Sequence, residues 1–315
     1  MSKVLLNSNF VFKNQLNKYV GKVRDVYEID NDILIMIVSD RISAFDIVMP
    51  KGITFKGQVL NQIATEMLEL SNDIIDNWLI NSPDPNVSIG KKCNPIKIEM
   101  VVRGYLSGHS YRFYNSGKRN LCGNILPENM YENDKFKSPI ITPATKAEKG
   151  SHDEDISSKS IIDQKILSKK DYDFIHEKSL ELFKRGTDLA EKNDLILVDT
   201  KYEFGYDSNG KINLIDEIHT PDSSRYFYKN SYAELQNKGL KQKQLSKEFF
   251  REWLMKNNFQ GKKNQDIPEM TDDVITMVSK RYIELYEKLI GKKFFINKND
   301  NVNDRIRKNL NEFIF

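Results

Sequence analysis

The residues best suited to chemistry lie in segment 197–205, where Asp199, Lys201 and Glu203 alternate with Thr200 and Tyr202. Alternation with a period of two is typical of a β-strand, so the three charged side chains share one face. A strand that carries three charges on one face needs ligands or partners for them. This face is therefore the first candidate site.

A hairpin signal follows this segment, because Asn209-Gly210 is the strongest two-residue turn cue. With these residues as the loop, Glu203 lies opposite Asp216, and opposed like charges destabilise a sheet unless a cation lies between them. Two carboxylates with phosphate oxygens are a common way to hold Mg²⁺. A one-residue change of register would move Asp216 to the other face and put Glu217 in its place. A solvent-exposed hairpin, with Lys201 neutralising one acid, explains the periodicity equally well.

A glycine-led turn opens the first predicted strand and contains Gly21, Lys22, Val23 and Arg24. It offers backbone N–H groups and two cations within three residues, which suits a polyphosphate. The sequence has neither the phosphate-loop motif nor the dinucleotide-binding fingerprint. Taken alone, an ordinary surface turn explains these residues as well.

Three further segments place charged or hydroxyl side chains where a strand ends. They are residues 39–46 with Ser43, the stretch after strand 96–102 with Arg103, and residues 220–225 with Asp222 and Arg225. A guanidinium group binds a phosphate or carboxylate through two parallel hydrogen bonds. Salt-bridged turns explain each segment singly. Together with the acidic hairpin, they predict ATP-dependent chemistry on an anionic substrate.

The composition is that of a soluble globular protein, since 39% of the 315 residues are hydrophobic and 30% are charged. The net charge of +3 comes from interspersed acids and bases, so we expect no nucleic-acid partner. The two cysteines, Cys93 and Cys122, lack metal-type spacing and fit a reducing compartment. The N-terminus lacks a signal-peptide pattern, and the longest apolar run, Ile33–Val38, is too short to span a bilayer. We expect a cytoplasmic protein without membrane contact.

The elements that must position these residues follow from periodicity and turn signals. We predict a hairpin of strands 22–29 and 33–38, a helix over 58–70, a strand over 96–102 and a helix over 171–191. Residues 115–160 are polar and weakly periodic, which predicts a long loop or insertion.

The end of the chain predicts two closing helices. Ser246 and Thr271 are the expected caps, and Gly291 is expected to end the second helix. Strands followed by mixed strands and helices indicate an α+β fold. We place a lobe boundary after Arg103, which gives lobes 1–103 and 104–315.

These motifs, in this order over nearly the whole chain, resemble those of the SAICAR synthetase family of purine biosynthesis. The segments that fit are residues 21–25, 39–46, 101–108, 142–148, 197–205 and 220–225. The insertion resembles the long form of the family. The resemblance implies a two-lobed fold, with an antiparallel N-terminal lobe, a larger α/β lobe and the nucleotide between them. This fold is similar to ATP-grasp and kinase-like architectures.

The resemblance also implies the reaction. ATP, an aminoimidazole ribotide carboxylate and L-aspartate would give the succinocarboxamide, ADP and phosphate through an acyl phosphate. Mg²⁺ would offset charge on the transferred phosphoryl group. We expect these small molecules as the partners, and a monomer or small homo-oligomer.

The family's roles carry over residue by residue. The resemblance implies catalysis by Lys201, Asp216 and Arg225, with Glu203 and Asp216 as metal ligands. ATP-binding residues would be Gly21, Lys22, Val23, Arg24, Lys201 and Glu203. Substrate-binding residues would be Ser43, Arg103, Ser110, Asp222 and Arg225.

One departure from the family pattern affects the ribotide site. The family usually has Gly-Ser where this chain has Gly108-His109, and Ser110 comes one residue later. Either Ser110 takes the role through a local shift, or His109 replaces the serine, or the contact is lost.

Two other functional classes remain open at this stage. A kinase-like phosphotransferase would use the same lobes, but the sequence lacks the H-R-D and D-F-G motifs. A non-catalytic nucleotide-binding or RNA-binding module is disfavoured because no basic and aromatic stripe is present.

Overall fold

The computed structural model describes residues 4–30, 32–146, 154–295 and 301–311. Asn31, in the turn of the first predicted hairpin, and Ala147 and Glu148, at the end of segment 142–148, lie outside these ranges.

The N-terminal part of the described chain, up to Lys91, forms an antiparallel sheet and one long helix. Its elements are β1 (Gln15–Val20), β2 (Arg24–Ile29), β3 (Ile33–Val38), β4 (Ser43–Ala44), β5 (Ile47–Val48), α1 (Lys56–Glu69), β6 (Leu79–Asp84) and β7 (Val87–Lys91). Five of these strands make a sheet in the order β1-β2-β3-β7-β6. The predicted hairpin is confirmed as β2 and β3, and the predicted helix 58–70 is confirmed as α1.

The remainder builds a second antiparallel sheet with helices around it. The elements up to the central strand are β8 (Asn94–Tyr105), α2 (His109–Asn115), β9 (Asn120–Leu121), β10 (Asn124–Ile125), β11 (Lys135–Thr145), α3 (Ser158–Asp163), α4 (Lys169–Lys192) and β12 (Leu195–Tyr206). After it come β13 (Ile212–Ile215), β14 (Ser224–Tyr228), α5 (Lys229–Asn237), β15 (Gln244–Leu245), α6 (Glu248–Lys256), α7 (Asp272–Ile290) and α8 (Val302–Asn309).

This second sheet has the order β11-β8-β12-β14-β15, with β13 also paired to β12. Strand β12 is therefore central, and α4 packs on it. Antiparallel sheets with surrounding helices confirm the predicted α+β class. The expected lobe boundary after Arg103 falls inside β8, a strand of this sheet.

The predicted long loop at 115–160 is wrong for much of its described part. It contains the short hairpin of β9 and β10 and the 11-residue strand β11, which pairs with β8. Pro139 and Pro143 made β11 resemble a loop. Proline is tolerated there because β11 lies at the edge of the sheet, where a missing N–H group breaks no ladder.

The helix ends partly match the predicted caps. The Thr271 hydroxyl accepts a hydrogen bond from the Val274 N–H group, and Gly291 ends α7 with a left-handed φ of 71°. Lys247, not Ser246, is the N-cap of α6, although the Ser246 hydroxyl accepts from the Glu248 N–H group at 3.2 Å. A third closing helix, α8, was not predicted. Within the described ranges, no helix is both long and apolar enough to cross a membrane.

A buried histidine links α4 to the loop that follows β13. His219 is 3% exposed, and a side chain at Gly186 of α4 would collide with its ring. Its Nε2 atom lies 3.3 Å from the hydroxyl of Tyr202 on β12. Burial lowers the pKa of the His219 imidazole to about 4. The ring is therefore neutral at pH 7 and holds the loop against the core.

The His219 pKa predicts an acid-sensitive fold. Because its folded pKa of about 4 lies below the ordinary imidazole pKa of 6.5, the unfolded chain binds the proton more tightly, and stability falls as the pH drops below 6.5. This one group should remove about 2 kcal/mol between pH 7 and pH 5. Denaturant unfolding of His219→Asn at both pH values should show a smaller pH-dependent loss. His176→Gln is the comparison, because burial also lowers the pKa of His176 but that ring is only partly buried, so its replacement should change the pH-dependent loss less. An unchanged slope in His219→Asn would contradict the assignment.

Candidate active site

The register of the β12–β13 hairpin differs by one residue from the prediction. Glu203 pairs with Ile215, not with Asp216. The loop has five residues because the Asp207 carboxylate accepts from the N–H groups of Asn209, at 3.0 Å, and Lys211, at 2.9 Å. An Asp side chain that bonds its own following backbone favours such a turn over a two-residue loop.

The two acids nevertheless converge on one cation. Strand β13 ends at Ile215, and Asp216 has a left-handed φ of 62°. Its Oδ2 atom lies 3.6 Å from Nζ of Lys201, which also contacts Glu203. The indole of Trp78 donates to the Asp216 carbonyl at 2.9 Å and supports this turned backbone.

Lys201 is the centre of a cluster of carboxylates. Besides Glu203 and Asp216, the Glu99 Oε1 atom lies 3.3 Å from its Nζ, and Glu203 is also bonded to Lys146. Burial opposes charge on Lys201, but the surrounding carboxylates hold its pKa well above the usual range. Burial would raise the pKa of Glu203, yet Lys201 and Lys146 hold it well below the usual range. The cluster is charged at neutral pH.

A cavity of about 490 Å³ lies beside this cluster and reaches the glycine-led turn. Its far wall is mainly apolar, and its inner end is charged. Its lining includes Gly21, Lys22, Val23, Arg24, Val26, Leu34, Met36, Trp78, Ile215 and Asp216. Arg24 bonds Asp216 at 2.8 Å and Glu217 at 2.5 Å. A mainly apolar cavity that ends in cations suits a nucleotide, and it is here called the nucleotide-shaped cavity.

A second cavity, of about 560 Å³, is rich in cations. Arg103, Arg225 and Arg112 line it together with His109 and Asp199. Asp199 pairs across the sheet with Arg103 on one side and Arg225 on the other. One of its carboxylate oxygens lies 3.1 Å from Arg225 and 3.5 Å from Arg103. Asp199 thus fixes the two guanidinium groups that the sequence assigned to anion binding.

The structure explains why position 108, at the rim of this cavity, is a glycine. Its φ is +58°, and a side chain there would lie 2.5 Å from the guanidinium of Arg225. The Ser107 hydroxyl accepts from that guanidinium at 2.9 Å. Any larger residue at position 108 would therefore displace Arg225.

A smaller cavity of about 270 Å³ joins the two sites. It shares Lys22, Val23, Arg24 and Asp216 with the nucleotide-shaped cavity, and Lys201, Asp222, Lys247 and Arg251 with the cationic one. Ser43, a predicted substrate-binding residue, also lines it. A group transferred between the two cavities would therefore pass Lys201 and Asp216.

Two predicted substrate-binding residues, Ser110 and Asp222, already have hydrogen-bond partners within the protein. Ser110 is fully buried, and its hydroxyl donates to the Ser107 carbonyl at 2.9 Å, whereas His109 lines the cationic cavity. The His109 Nε2 atom lies 2.7 Å from Asp155. Asp222 is bonded to Lys56 at 2.9 Å and to the Tyr282 hydroxyl at 2.6 Å. Asp222 also lines the cationic cavity and the joining cavity, so its substrate-binding role stays a prediction.

Sequence reasoning missed several charged residues of the site. Lys247 and Arg251 are four residues apart at the start of α6, and this spacing was an available signal. Lys56 gave no signal, because its Asp222 partner lies 166 residues away. Glu99 lies opposite Glu203 on β8 and could be found only from the strand pairing.

The acidic cluster fits a divalent cation supplied with phosphate. Among the described residues, no group of three metal-ligating side chains could by itself hold an ion. Glu203 and Asp216 do converge on one ammonium nitrogen, so two carboxylates face a position that attracts a cation. Mg²⁺ commonly takes one or two carboxylates and fills its other positions with water and phosphate oxygens.

Comparison with known proteins gives one consistent family. The SAICAR synthetase family model matches residues 17–268. The chain is 56% identical to the phosphoribosylaminoimidazole-succinocarboxamide synthase of Flavobacterium psychrophilum, over 98% of both chains. It is 57% identical to the enzyme of the same name from Cytophaga hutchinsonii, over 96% of this chain and 97% of the relative.

Two solved structures show the same fold. A SAICAR synthase from Saccharomyces cerevisiae complexed with SAICAR has a TM-score of 0.77 and 28% identity, over 94% of this chain and 99% of the other. A type-2 SAICAR synthetase in complex with ADP has a TM-score of 0.68 and 25% identity, over 89% of this chain and all of the other. On the sequence match, the shared fold and the joined cavities, the chain belongs to the SAICAR synthetase family.

Proposed function

We propose how the three joined cavities carry out the reaction of this family. The protein is an ATP-dependent C–N ligase of de novo purine biosynthesis. It joins L-aspartate to the carboxylate of 5-amino-1-(5-phosphoribosyl)imidazole-4-carboxylate, here called the ribotide, and gives SAICAR, ADP and phosphate. The observation that carries the assignment is the position of Lys201 and Asp216, where the nucleotide-shaped and cationic cavities meet.

ATP is proposed to occupy the cavity lined by the glycine-led turn. The apolar wall of Val26, Leu34 and Met36 would receive the base, while Lys22 and Arg24 lie at the charged end for the phosphates. A type-2 relative that is solved with ADP supports nucleotide binding in this fold.

Mg²⁺ is proposed to bind at Glu203 and Asp216. When bound, the ion would neutralise charge on the phosphates and align the transferred group. Lys201, now surrounded by carboxylates, would be released from part of that pairing to contact the phosphoryl oxygens. Its raised pKa keeps it cationic for this role.

The ribotide is proposed to bind in the cationic cavity through Arg103 and Arg225, whose positions Asp199 fixes. His109 lines the cavity where the family usually has serine, whereas Ser110 is enclosed. We therefore propose His109 as the substrate contact at this position. Ser43 would bind where the cavities join. The yeast relative solved with SAICAR supports a ribotide-type ligand in this fold.

The proposed order of steps follows from this arrangement. The ribotide carboxylate would attack the terminal phosphoryl group beside Lys201, which gives an acyl phosphate. The amine of L-aspartate would then attack the acyl carbon and displace phosphate. The protein mainly positions the reactants and stabilises charge, as is usual in phosphoryl transfer.

We also propose a division into lobes and a cellular location. We propose that the two sheets define the lobes, with the division ahead of β8 and not after Arg103. The free cysteines Cys93 and Cys122 fit a reducing location, and we propose the cytoplasm. The substrates are small molecules, and a monomer or small homo-oligomer is expected.

Substrate dependence of ADP release tests the function. ADP release should need both the ribotide and L-aspartate for steady turnover, because the acyl phosphate is consumed only by the amine. Mass spectrometry should find the succinocarboxamide as product. ADP release at the same rate with either substrate omitted, or a stable phosphorylated product, would indicate a kinase-like phosphotransferase instead.

Replacement of Asp216 should separate activity from stability. We expect Asp216→Asn to lower kcat by roughly 100-fold or more, because it weakens charge stabilisation of the transferred group. The free energy of unfolding should fall by only about 1 kcal/mol. The measurements are turnover and thermal midpoint, with Asp188→Asn on the exposed side of α4 as the matched control. A proportionate loss of activity and folding would contradict the metal role.

Replacement of Arg225 should affect one substrate selectively. Loss of a charge-assisted hydrogen bond to an anion costs about 1.5–3 kcal/mol, which is about a 10- to 100-fold rise in KM for the ribotide. For Arg225→Gln, the KM for ATP should change little. Arg185→Gln, which removes a partly exposed guanidinium paired with Asp73 outside the cavities, should leave both values unchanged. Equal effects on the two KM values would contradict the assignment.

A further inference from the structure

Amide formation requires a proton acceptor, and none of the residues proposed to bind ATP, Mg²⁺ or the ribotide provides one. The α-amino group of L-aspartate is mainly an ammonium ion at neutral pH, and an ammonium nitrogen has no lone pair for attack. The carboxylates near the junction are already paired with cations. The pairs are Glu203 with Lys201 and Lys146, Asp199 with Arg103 and Arg225, Asp222 with Lys56, and Asp216 and Glu217 with Arg24.

Lys247 is placed where such a base is needed. It is the N-cap residue of α6 and lines both the cationic cavity and the joining cavity. Its side chain is 15% exposed, so it is largely shielded yet open to the cavities. Its only ion pair within the described ranges is with Asp222, at 3.5 Å.

The groups around Lys247 come from several elements. Asp222 and Glu217 lie on the connection between β13 and β14, Lys56 begins α1, and Arg251 is one turn further along α6. Tyr282 of α7 donates its hydroxyl to Asp222 at 2.6 Å, which draws part of that carboxylate away from Lys247. Burial lowers the pKa of Lys247, and Arg251 and Lys56 lower it further, against the opposing effect of Asp222 and Glu217. On balance, the pKa of Lys247 is lowered below the usual lysine value.

The other lysines in or near the cavities are less suitable as a base. Lys22, which also lines the joining cavity, is paired with Asp46. Lys56 is fully buried and bonded to Asp222 at 2.9 Å. Lys201 is surrounded by three carboxylates, which hold its pKa high. Lys146 is bonded to Glu203. A lysine acts as a base when burial and neighbouring cations favour its neutral form.

We propose that Lys247 is the general base that accepts a proton from the α-ammonium group of L-aspartate. This inference rests on the proposed function. The Nζ lone pair takes one proton, and the freed amine attacks the acyl carbon. A C–N bond forms as the C–O bond to phosphate breaks. The leaving phosphate keeps that electron pair and receives the second proton of the nitrogen.

Hydroxylamine separates this proton transfer from the phosphoryl-transfer step. It is uncharged at neutral pH and reacts with acyl phosphates to give hydroxamates, so it does not need the base. In Lys247→Arg the positive charge stays, but the guanidinium group cannot act as a base. We expect ligation of L-aspartate to fall by roughly 100-fold or more, while hydroxamate formation from ATP and ribotide stays within a few-fold of the unmodified enzyme.

Two further variants complete the experiment. Lys256→Arg, an exposed lysine of the same helix, should leave both reactions unchanged. Lys247→Gln also lacks a basic nitrogen and should show the same split, which covers the case in which arginine does not fit beside Asp222. The pH profile of ligation in the unmodified enzyme should rise through the pKa of Lys247, and this rise should be absent in Lys247→Arg.

The outcomes are distinguishable. Equal loss of ligation and hydroxamate in folded Lys247 variants would overturn the base role, and so would full retention of ligation. Failure of the unmodified enzyme to form any hydroxamate would overturn the acyl-phosphate route itself, and the base with it.

Discussion

The active site depends on one constraint, which is that a central buried strand carries three charged side chains on one face. An unpaired charge in such a position costs several kcal/mol, so each must have a partner of opposite sign. Asp199 is paired by arginines from the strands on both sides of β12. Lys201 and Glu203 pair with each other and with acids and a lysine from neighbouring elements. The elements that deliver these partners are also the walls of the cavities.

This pairing places opposite charges where the ligands need them. In the cationic cavity, a phosphate would meet two guanidinium groups that Asp199 already orients. At the junction, a cation would meet two carboxylates that Lys201 already holds together. Apart from the partial release of Lys201 from these carboxylates, the charged groups need little rearrangement to receive substrates, and such preorganisation is a major source of catalytic power. Asp222 extends the same principle, because its ties to Lys56 of α1 and Tyr282 of α7 fix the surroundings of Lys247.

The sequence predicted which elements carry the site better than it predicted how those elements pair. The predictions were close to the observed positions for strands β2 and β3, helices α1 and α4, and the charged face of β12, because periodicity reports burial directly. The hairpin register was wrong because the Asp207 side chain bonds backbone N–H groups and lengthens the loop. Strand β11 was missed because its prolines are acceptable only at a sheet edge, and edge position is not visible in sequence.

The sequence by itself determined the fold class, the alternating charges of β12 and the motifs that place the chain in its family. These are properties of residue type and spacing along one segment. Only the tertiary structure decided that Asp216 reaches Lys201 despite the changed register, that Asp199 lies between two arginines, and that Lys56 is buried against Asp222. Each of these depends on segments distant in sequence, and the energy of a buried charge is set by which groups the fold brings within a few ångströms of it.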